Sequence, residues 1–195
     1  TTIDLSPAIV TIATRTSTSG LPGPTLNRTK TNAMKLHIIT TGGTIDKVYF
    51  DANSEYEIGG PVVGQILERM NPGFEFEVSG LLQKDSLELT DEDRSLIRKA
   101  VEQSPCDSIL ITHGTDSMVM TAQALSGIEN KRIVLTGSMK PAAFAETDAV
   151  FNIGAAIGAL NAVAPGVYIM MSGRLFTPDK VFKNYDTRRF EAPQD

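Results

Sequence analysis

Three short stretches of this chain carry hydroxyls and glycine in the same arrangement: Thr40-Thr41-Gly42-Gly43-Thr44, Thr112-His113-Gly114-Thr115-Asp116 and Thr136-Gly137-Ser138-Met139. Glycine lets a backbone approach a ligand closely and present its N–H groups. Hydroxyls beside those N–H groups suit a small polar molecule with a carboxylate or a carbonyl. A threonine hydroxyl is a weak nucleophile, so acyl chemistry there needs a nearby base or electrostatic help. One such turn is ordinarily structural. Three in one chain, two of them with Thr directly after Gly, point to a site.

Other chemistries find less support. His113 stands before Gly114 and is a candidate general base, but its plainer reading, a partly buried histidine bonded to backbone, is preferred. His37 lies mid-strand and reads as a core residue. The chain has no Gly-x-Ser-x-Gly elbow, no P-loop and no Gly-x-Gly-x-x-Gly, which weakens nucleotide and dinucleotide binding. With two histidines and one cysteine, Cys106, no zinc-type spacing exists and no disulfide forms within the chain. No metal is expected. The formal charge is −5, and the basic residues do not cluster. Non-specific nucleic-acid binding is therefore not expected, nor is steering toward acidic lipids. No apolar run reaches membrane-spanning length. The single cysteine suits a reducing compartment, and a cytoplasmic location is expected.

The elements that must carry the three turns are legible as alternating strands and helices. Residues 35–41, 108–112, 132–136 and 166–171 are short, apolar and β-branched, and residues 74–81 alternate as a strand. Between them Val62, Val63, Ile66, Leu67 and Met70 share a helical stripe. Thr90 with Asp93 caps a second helix, whose buried face is expected to be Leu96, Ile97, Ala100 and Val101. Residues 118–125 and 148–160 give two more helices, the last rich in Gly and Ala. This order predicts an α/β fold: an open, mostly parallel sheet with helices on both faces, three-layered and flavodoxin-like. Ligands of such sheets bind beyond the carboxyl ends of the strands, where all three turns fall. The catalytic α/β domain is expected to span 34–195. Residues 1–33, rich in Thr, Ser, Pro and Gly, lack periodicity. They read as a disordered extension or as residues preceding a true start at Met34, with a targeting peptide as the remaining reading.

Thr41-Gly42-Gly43-Thr44-Ile45 and His113-Gly114-Thr115-Asp116 resemble the two signatures of the bacterial-type L-asparaginases and glutaminase-asparaginases. Gly137-Ser138-Met139-Lys140-Pro141 resembles that family's third landmark. Each motif alone is modestly specific, but their order and spacing match from about Leu36 to about Arg188. The resemblance implies an amidohydrolase that forms an acyl-enzyme through Thr44 and needs no cofactor. It implies further that Tyr56 belongs to a loop closing over the substrate. Thr115, Lys183 and Asp116 would form a Thr-Lys-Asp triad. Ser86, after Asp85, would hold the substrate carboxylate, with Gly114, Thr115, Asp116 and Ser138 as further substrate contacts. Taken singly, each has a duller reading: Tyr56 as a surface aromatic, Lys183 as a solvated charge, Asp116 as a helix cap.

Two departures bear on how a substrate ammonium is held. Leu87 stands where the family usually has a polar side chain, and Ser117 replaces the usual Thr. Long family members also carry a second, C-terminal domain that lends an acidic residue to a neighbouring subunit. This chain stops at Asp195, about where that domain would begin, and is a short-chain member or a fragment. The ammonium would then fall to Asp116 alone, or with Asp85 or Glu88. The leading expectation is hydrolysis of L-asparagine to aspartate and ammonia, with glutamine as a second candidate substrate. The alternatives are a glutaminase-type subunit of an amidotransferase and an amino-acid amide binding module without turnover. The resemblance also implies a homo-oligomer, dimer or larger.

Overall fold

The apolar runs do become strands, and their end points set where the site forms. The computed structural model describes residues 34–49 and 56–193, with side chains left undescribed at 49 and 56–58. The expected N-terminal extension, residues 1–33, lies outside them. The chain runs β1 (Lys35–Gly42), a hairpin of β2 (Lys47–Tyr49) and β3 (Tyr56–Ile58), α1 (Val63–Met70), β4 (Glu75–Lys84), α2 (Asp91–Gln103), β5 (Ser108–Thr112), α3 (Met118–Ala124), β6 (Arg132–Thr136), α4 (Ala149–Leu160), β7 (Gly166–Met171), β8 (Arg174–Phe176), β9 (Phe182–Asn184) and β10 (Arg189–Glu191).

The main sheet has the order β4-β1-β5-β6-β7-β8. Its first five strands are parallel, and β8 adds an antiparallel edge. Side chains alternate across a strand, and here both sides are covered. Ile109, Ile111, Ile133 and Leu135 pack with Ile97 and Val101 of α2 and Met118 of α3. Leu110 and Val134 point the other way, onto Ile66 and Leu67 of α1 and Ile153 and Leu160 of α4. That is the expected three-layer α/β architecture.

Local signals explain some of the helix ends. Thr90 and Asp93 form the expected capping box: Asp93 N–H donates to Thr90 Oγ1, and Thr90 N–H to the Asp93 carboxylate. One residue of the expected buried face is corrected: Leu96 is 41% exposed, while Ile97 and Val101 are buried as expected. Met70, on the α1 stripe, is 59% exposed where that helix stops, with Asn71 in the left-handed region at φ 47°. Sequence pattern carries no sign of the β2–β3 and β9–β10 hairpins or of β8. Strands of three residues are too short for alternation to register. No helix among the described residues is long and apolar enough to cross a membrane.

Candidate active site

The three hydroxyl-bearing turns leave the carboxyl ends of β1, β5 and β6, which are adjacent in the sheet. Their glycines let them stack backbone on backbone. A methyl group at Gly43 would stand 2.4 Å from the Cα and N of Gly114, and one at Gly137 would stand 2.3 Å from the carbonyl oxygen of His113. One at Gly114 would stand 2.6 Å from the side chain of Ser86. No Cβ fits at such distances. Gly43 also has φ +90°, a region that side chains disfavour. Thr44 and Thr115 each directly follow one of the two touching glycines, so the contact sets the two threonine-bearing turns against each other.

Thr115 lies in a fixed network. Lys183 Nζ donates to Thr115 Oγ1 at 2.8 Å and to Asp116 Oδ1 at 2.6 Å. Thr115 is 4% exposed. The lysine comes from β9, 68 residues along the chain. It is set in register by its pairing with Phe190 of β10, a core residue. The ring of Tyr185 covers its ammonium at 5.0 Å. Ser86, fully buried, is tied to the same turn. Its Oγ accepts from Asp116 N–H at 3.2 Å, and its carbonyl accepts from the hydroxyl of Ser117. Thr115, Asp116, Lys183, Ser86 and Gly114 are thus brought together.

Thr44 differs. It opens a 3₁₀ turn, Thr44–Asp46, is half-buried, and its hydroxyl makes no hydrogen bond among the described residues. Two residues on, Asp46 is 2% exposed and accepts from Val62 N–H at 3.0 Å. Burial pushes its carboxyl up to about 6, against the smaller opposing effect of the Val62 bond. Its carbonyl accepts from Gly59 N–H at 2.7 Å, which pins the exit of the β2–β3 hairpin. Tyr56 pairs with Tyr49 in that hairpin; its side chain lies outside the described residues.

Two expected substrate contacts, Asp85 and Ser138, also bond within their own turns. The Asp85 carboxylate accepts from Lys47 Nζ at 3.0 Å and from Leu87 N–H at 3.1 Å, so it shapes the turn around Ser86. Ser138 is 1% exposed, and its hydroxyl donates to the carbonyl of Lys140 at 2.5 Å, closing the third turn from within. His113 has the plainer of its two readings, in a fully buried form. Its Nδ1 meets Gly114 O at 2.7 Å and its Nε2 meets Thr121 Oγ1 at 2.8 Å. Burial drives it down to about 4, so it stays neutral and structural. His37 bridges Ser104 and Ser79 in the same manner.

Two residues that the sequence does not single out, Asp148 and Asn152, also shape the site. The Asp148 carboxylate accepts from the N–H groups of Met139 and Lys140. Asn152, fully buried, donates to Gly137 O and to Asp148 and accepts from Ser172 N–H. Together they fix the third turn. A polar pair four residues apart, the asparagine embedded in the apolar Ala149–Leu160 helix, is the signal that could have found them. Among the described residues, no group of three His, Cys, Asp or Glu side chains is arranged to hold a metal.

Known proteins resemble this chain in sequence and in fold. A family model described as "Asparaginase, N-terminal" matches residues 35–194. An L-asparaginase of Thermococcus kodakarensis is 33% identical over 156 residues, which is 77% of this chain and 48% of that one. A glutamyl-tRNA(Gln) amidotransferase subunit from Methanococcus maripaludis is 29% identical over 85% of this chain and 43% of its own. The solved thermostable L-asparaginase of Thermococcus kodakarensis superposes with a TM-score of 0.73 at 30% identity, over 82% of this chain and 51% of that one. The chain therefore spans about half the length of the relatives it matches.

Proposed function

The chain belongs to the asparaginase family, and on that premise we propose that it hydrolyses L-asparagine to L-aspartate and ammonia through an acyl-enzyme on Thr44. One observation carries the reading: a lysine ammonium bonded at once to a buried threonine hydroxyl and to the next residue's carboxylate, in a turn stacked on that of a second threonine whose hydroxyl is unbonded among the described residues. Thr44 Oγ attacks the side-chain amide carbon. The developing oxyanion is received by backbone N–H groups of the stacked Gly-Thr turns. Tyr56 takes the Thr44 proton and passes it to the amide nitrogen, the C–N bond breaks, and ammonia leaves a β-aspartyl ester on Thr44. Water then attacks that ester. The water's proton passes through the Thr115 hydroxyl, held by Lys183, to Thr44 Oγ as the ester C–O bond breaks, and Asp116 keeps the lysine in place. Ser86 and the N–H groups of its turn hold the substrate carboxylate. Tyr56 serves as the proton-handling residue on the Thr44 side. The working protein is at least a dimer.

A second reading, a glutaminase-type subunit of an amidotransferase, is favoured by the similarity to the Methanococcus maripaludis amidotransferase chain. Ammonia release from asparagine and from glutamine, measured side by side, separates the two. The asparaginase reading expects release from asparagine by the wild type, and binding without release by Thr44→Ala. Release from glutamine alone selects the second reading. Wild-type release by both Thr44→Ala and Thr115→Ala overturns the mechanism. Sedimentation giving only monomer at high concentration overturns the dimer.

A further inference from the structure

Lys47 bonds to both the Thr44 turn and the Ser86 turn. Its backbone N–H donates to the carbonyl of Thr44 and closes the 3₁₀ turn. Its ammonium donates to Asp85 Oδ2 at 3.0 Å. The other oxygen of Asp85 caps the turn that holds Ser86, and Ser86 accepts from Asp116 N–H. A bonded path therefore runs from Thr44 through Lys47, Asp85, Ser86, Asp116 and Lys183 to Thr115. β1 and β4 pair regularly from Lys35 to Thr40, the register shifts between Thr40 and Gly42, and pairing ends at Gly42 with Lys84, so the sheet carries the two strands no further than the start of the two turns. Beyond that last pair, Lys47–Asp85 is the ion pair between the two turns among the described residues. Its side chains are 26% and 32% exposed, so solvent screens it less than a surface pair. Burial alone would raise the Asp85 carboxyl. The Leu87 N–H and the Lys47 ammonium outweigh it and hold the group below its ordinary range.

We propose that Lys47 is a positioning residue for the amide hydrolysis: its ammonium fixes the Ser86 turn against the Thr44 turn, so that substrate anchor and nucleophile stay in register. The activity readout of this proposal rests on the asparaginase reading above. The charge comes from a residue three positions after the nucleophile, so a displacement of the Ser86 turn is felt directly as misalignment of the attack. A misplacement of about 1 Å costs on the order of a hundredfold in rate.

The test uses Lys47→Met, Lys47→Arg and the charge reversal Lys47→Asp with Asp85→Lys in the full chain. Lys47→Met is expected to lower kcat/KM for asparagine about tenfold to a hundredfold, in kcat as well as KM. Lys47→Arg and the reversal are expected to recover most of the loss. The activity-independent readout is the backbone amide spectrum. Lys47→Met is expected to shift the resonances of Leu87 and Asp116 while those of Ile109 and Ile133 stay in place. A purely stabilising role predicts a lowered Tm with kcat/KM of the folded protein unchanged, and that result overturns the proposal. If the wild type releases no ammonia, the functional reading fails on its own. The amides then decide: Leu87 and Asp116 unmoved by Lys47→Met sinks the positioning role. Should Lys47→Met not fold, the reversal decides by recovering activity and the Leu87 and Asp116 amides, or by failing to.

Discussion

Thr115 is buried and bonded to a lysine that the next residue's carboxylate also holds, whereas Thr44, one glycine contact away, is half-buried with its hydroxyl unbonded among the described residues. The contrast matches two tasks. A group that passes protons must keep its partners through the cycle, and preorganised donors cost no rearrangement when charge develops. A group that forms and breaks a bond to carbon must be free to change partners. The buried ionisable groups beside the two threonines also differ in sign. His113, in the Thr115 turn, is held neutral down to about 4, while Asp46, in the Thr44 turn, keeps its proton up to about 6.

The sharpest way to break the comparison is to remove the fixed side. Lys183→Met is expected to lower kcat about a thousandfold, within the range of acid–base contributions, while thermal unfolding shifts by only a few degrees. A loss under tenfold would make Lys183 a structural charge and leave the two threonines equivalent.

Next in size is the glycine contact that joins the turns. Gly43→Ala puts a methyl group into the backbone of Gly114 at a φ of +90°. A cost above about 3 kcal/mol by denaturant unfolding is expected, from overlap and backbone strain together. Gly60→Ala, where nothing stands within 4 Å, serves as the control and is expected to be near neutral. Equal costs at the two positions would refute the stacking of the turns.

The pH dependence of stability then separates the two sides. Between about 4 and 6.5 the unfolded chain binds a proton on His113 that the fold refuses, so this group's contribution is lost as pH falls through that window. Between 3.8 and about 6 the fold keeps a proton on Asp46 that the unfolded chain releases, so this group costs stability as pH rises through that window. The displacement corresponds to at most about 3 kcal/mol. Asp46→Asn is therefore expected to gain stability over wild type at pH 8, with the gain vanishing by about pH 4. His113→Gln is expected to lose the acid-side fall. Unfolding free energies measured across pH 4 to 8 check both, and a gain for Asp46→Asn that grows toward acid would contradict the assignment.

The smallest effect expected is at the outer face of the fixed side. Tyr185→Leu removes the ring over the Lys183 ammonium. It should lower kcat about two- to fivefold, as an exposed cation–π contact allows, while Tyr185→Phe stays at the wild-type rate. A full loss in Tyr185→Phe would assign the work to the hydroxyl instead of the ring.

How much of the fold and the site is legible in the sequence follows from how far each signal reaches along the chain. The turns at 41–44 and 113–116 are readable because glycine and threonine adjoin a buried strand, and a strand end is a local event. The capping box at Thr90 is likewise local. Lys183 is found only because the motifs resemble a family. Nothing in Phe182-Lys183-Asn184 announces a site, and its position is fixed by pairing with β10 and by the burial of Phe190, both long-range facts. Lys47, Asp148 and Asn152 escape notice for the same reason: each acts through a partner in another turn or element. Ser138 reads as facing the substrate because it stands in the third Gly-bearing turn, and Asp85 because it adjoins Ser86. The structure bonds each of them into its own turn.

The central claim is that the two threonines divide the work, Thr44 taking the acyl group and Thr115 managing its proton. The most direct measurement is to quench the enzyme during turnover of asparagine with acid and map the acyl adduct by peptide mass spectrometry, in wild type and in Thr115→Ala. The account predicts a β-aspartyl ester on Thr44 in both, more abundant in Thr115→Ala because its hydrolysis is slowed. An ester on Thr115 in the wild type, or its persistence in Thr44→Ala, would contradict it.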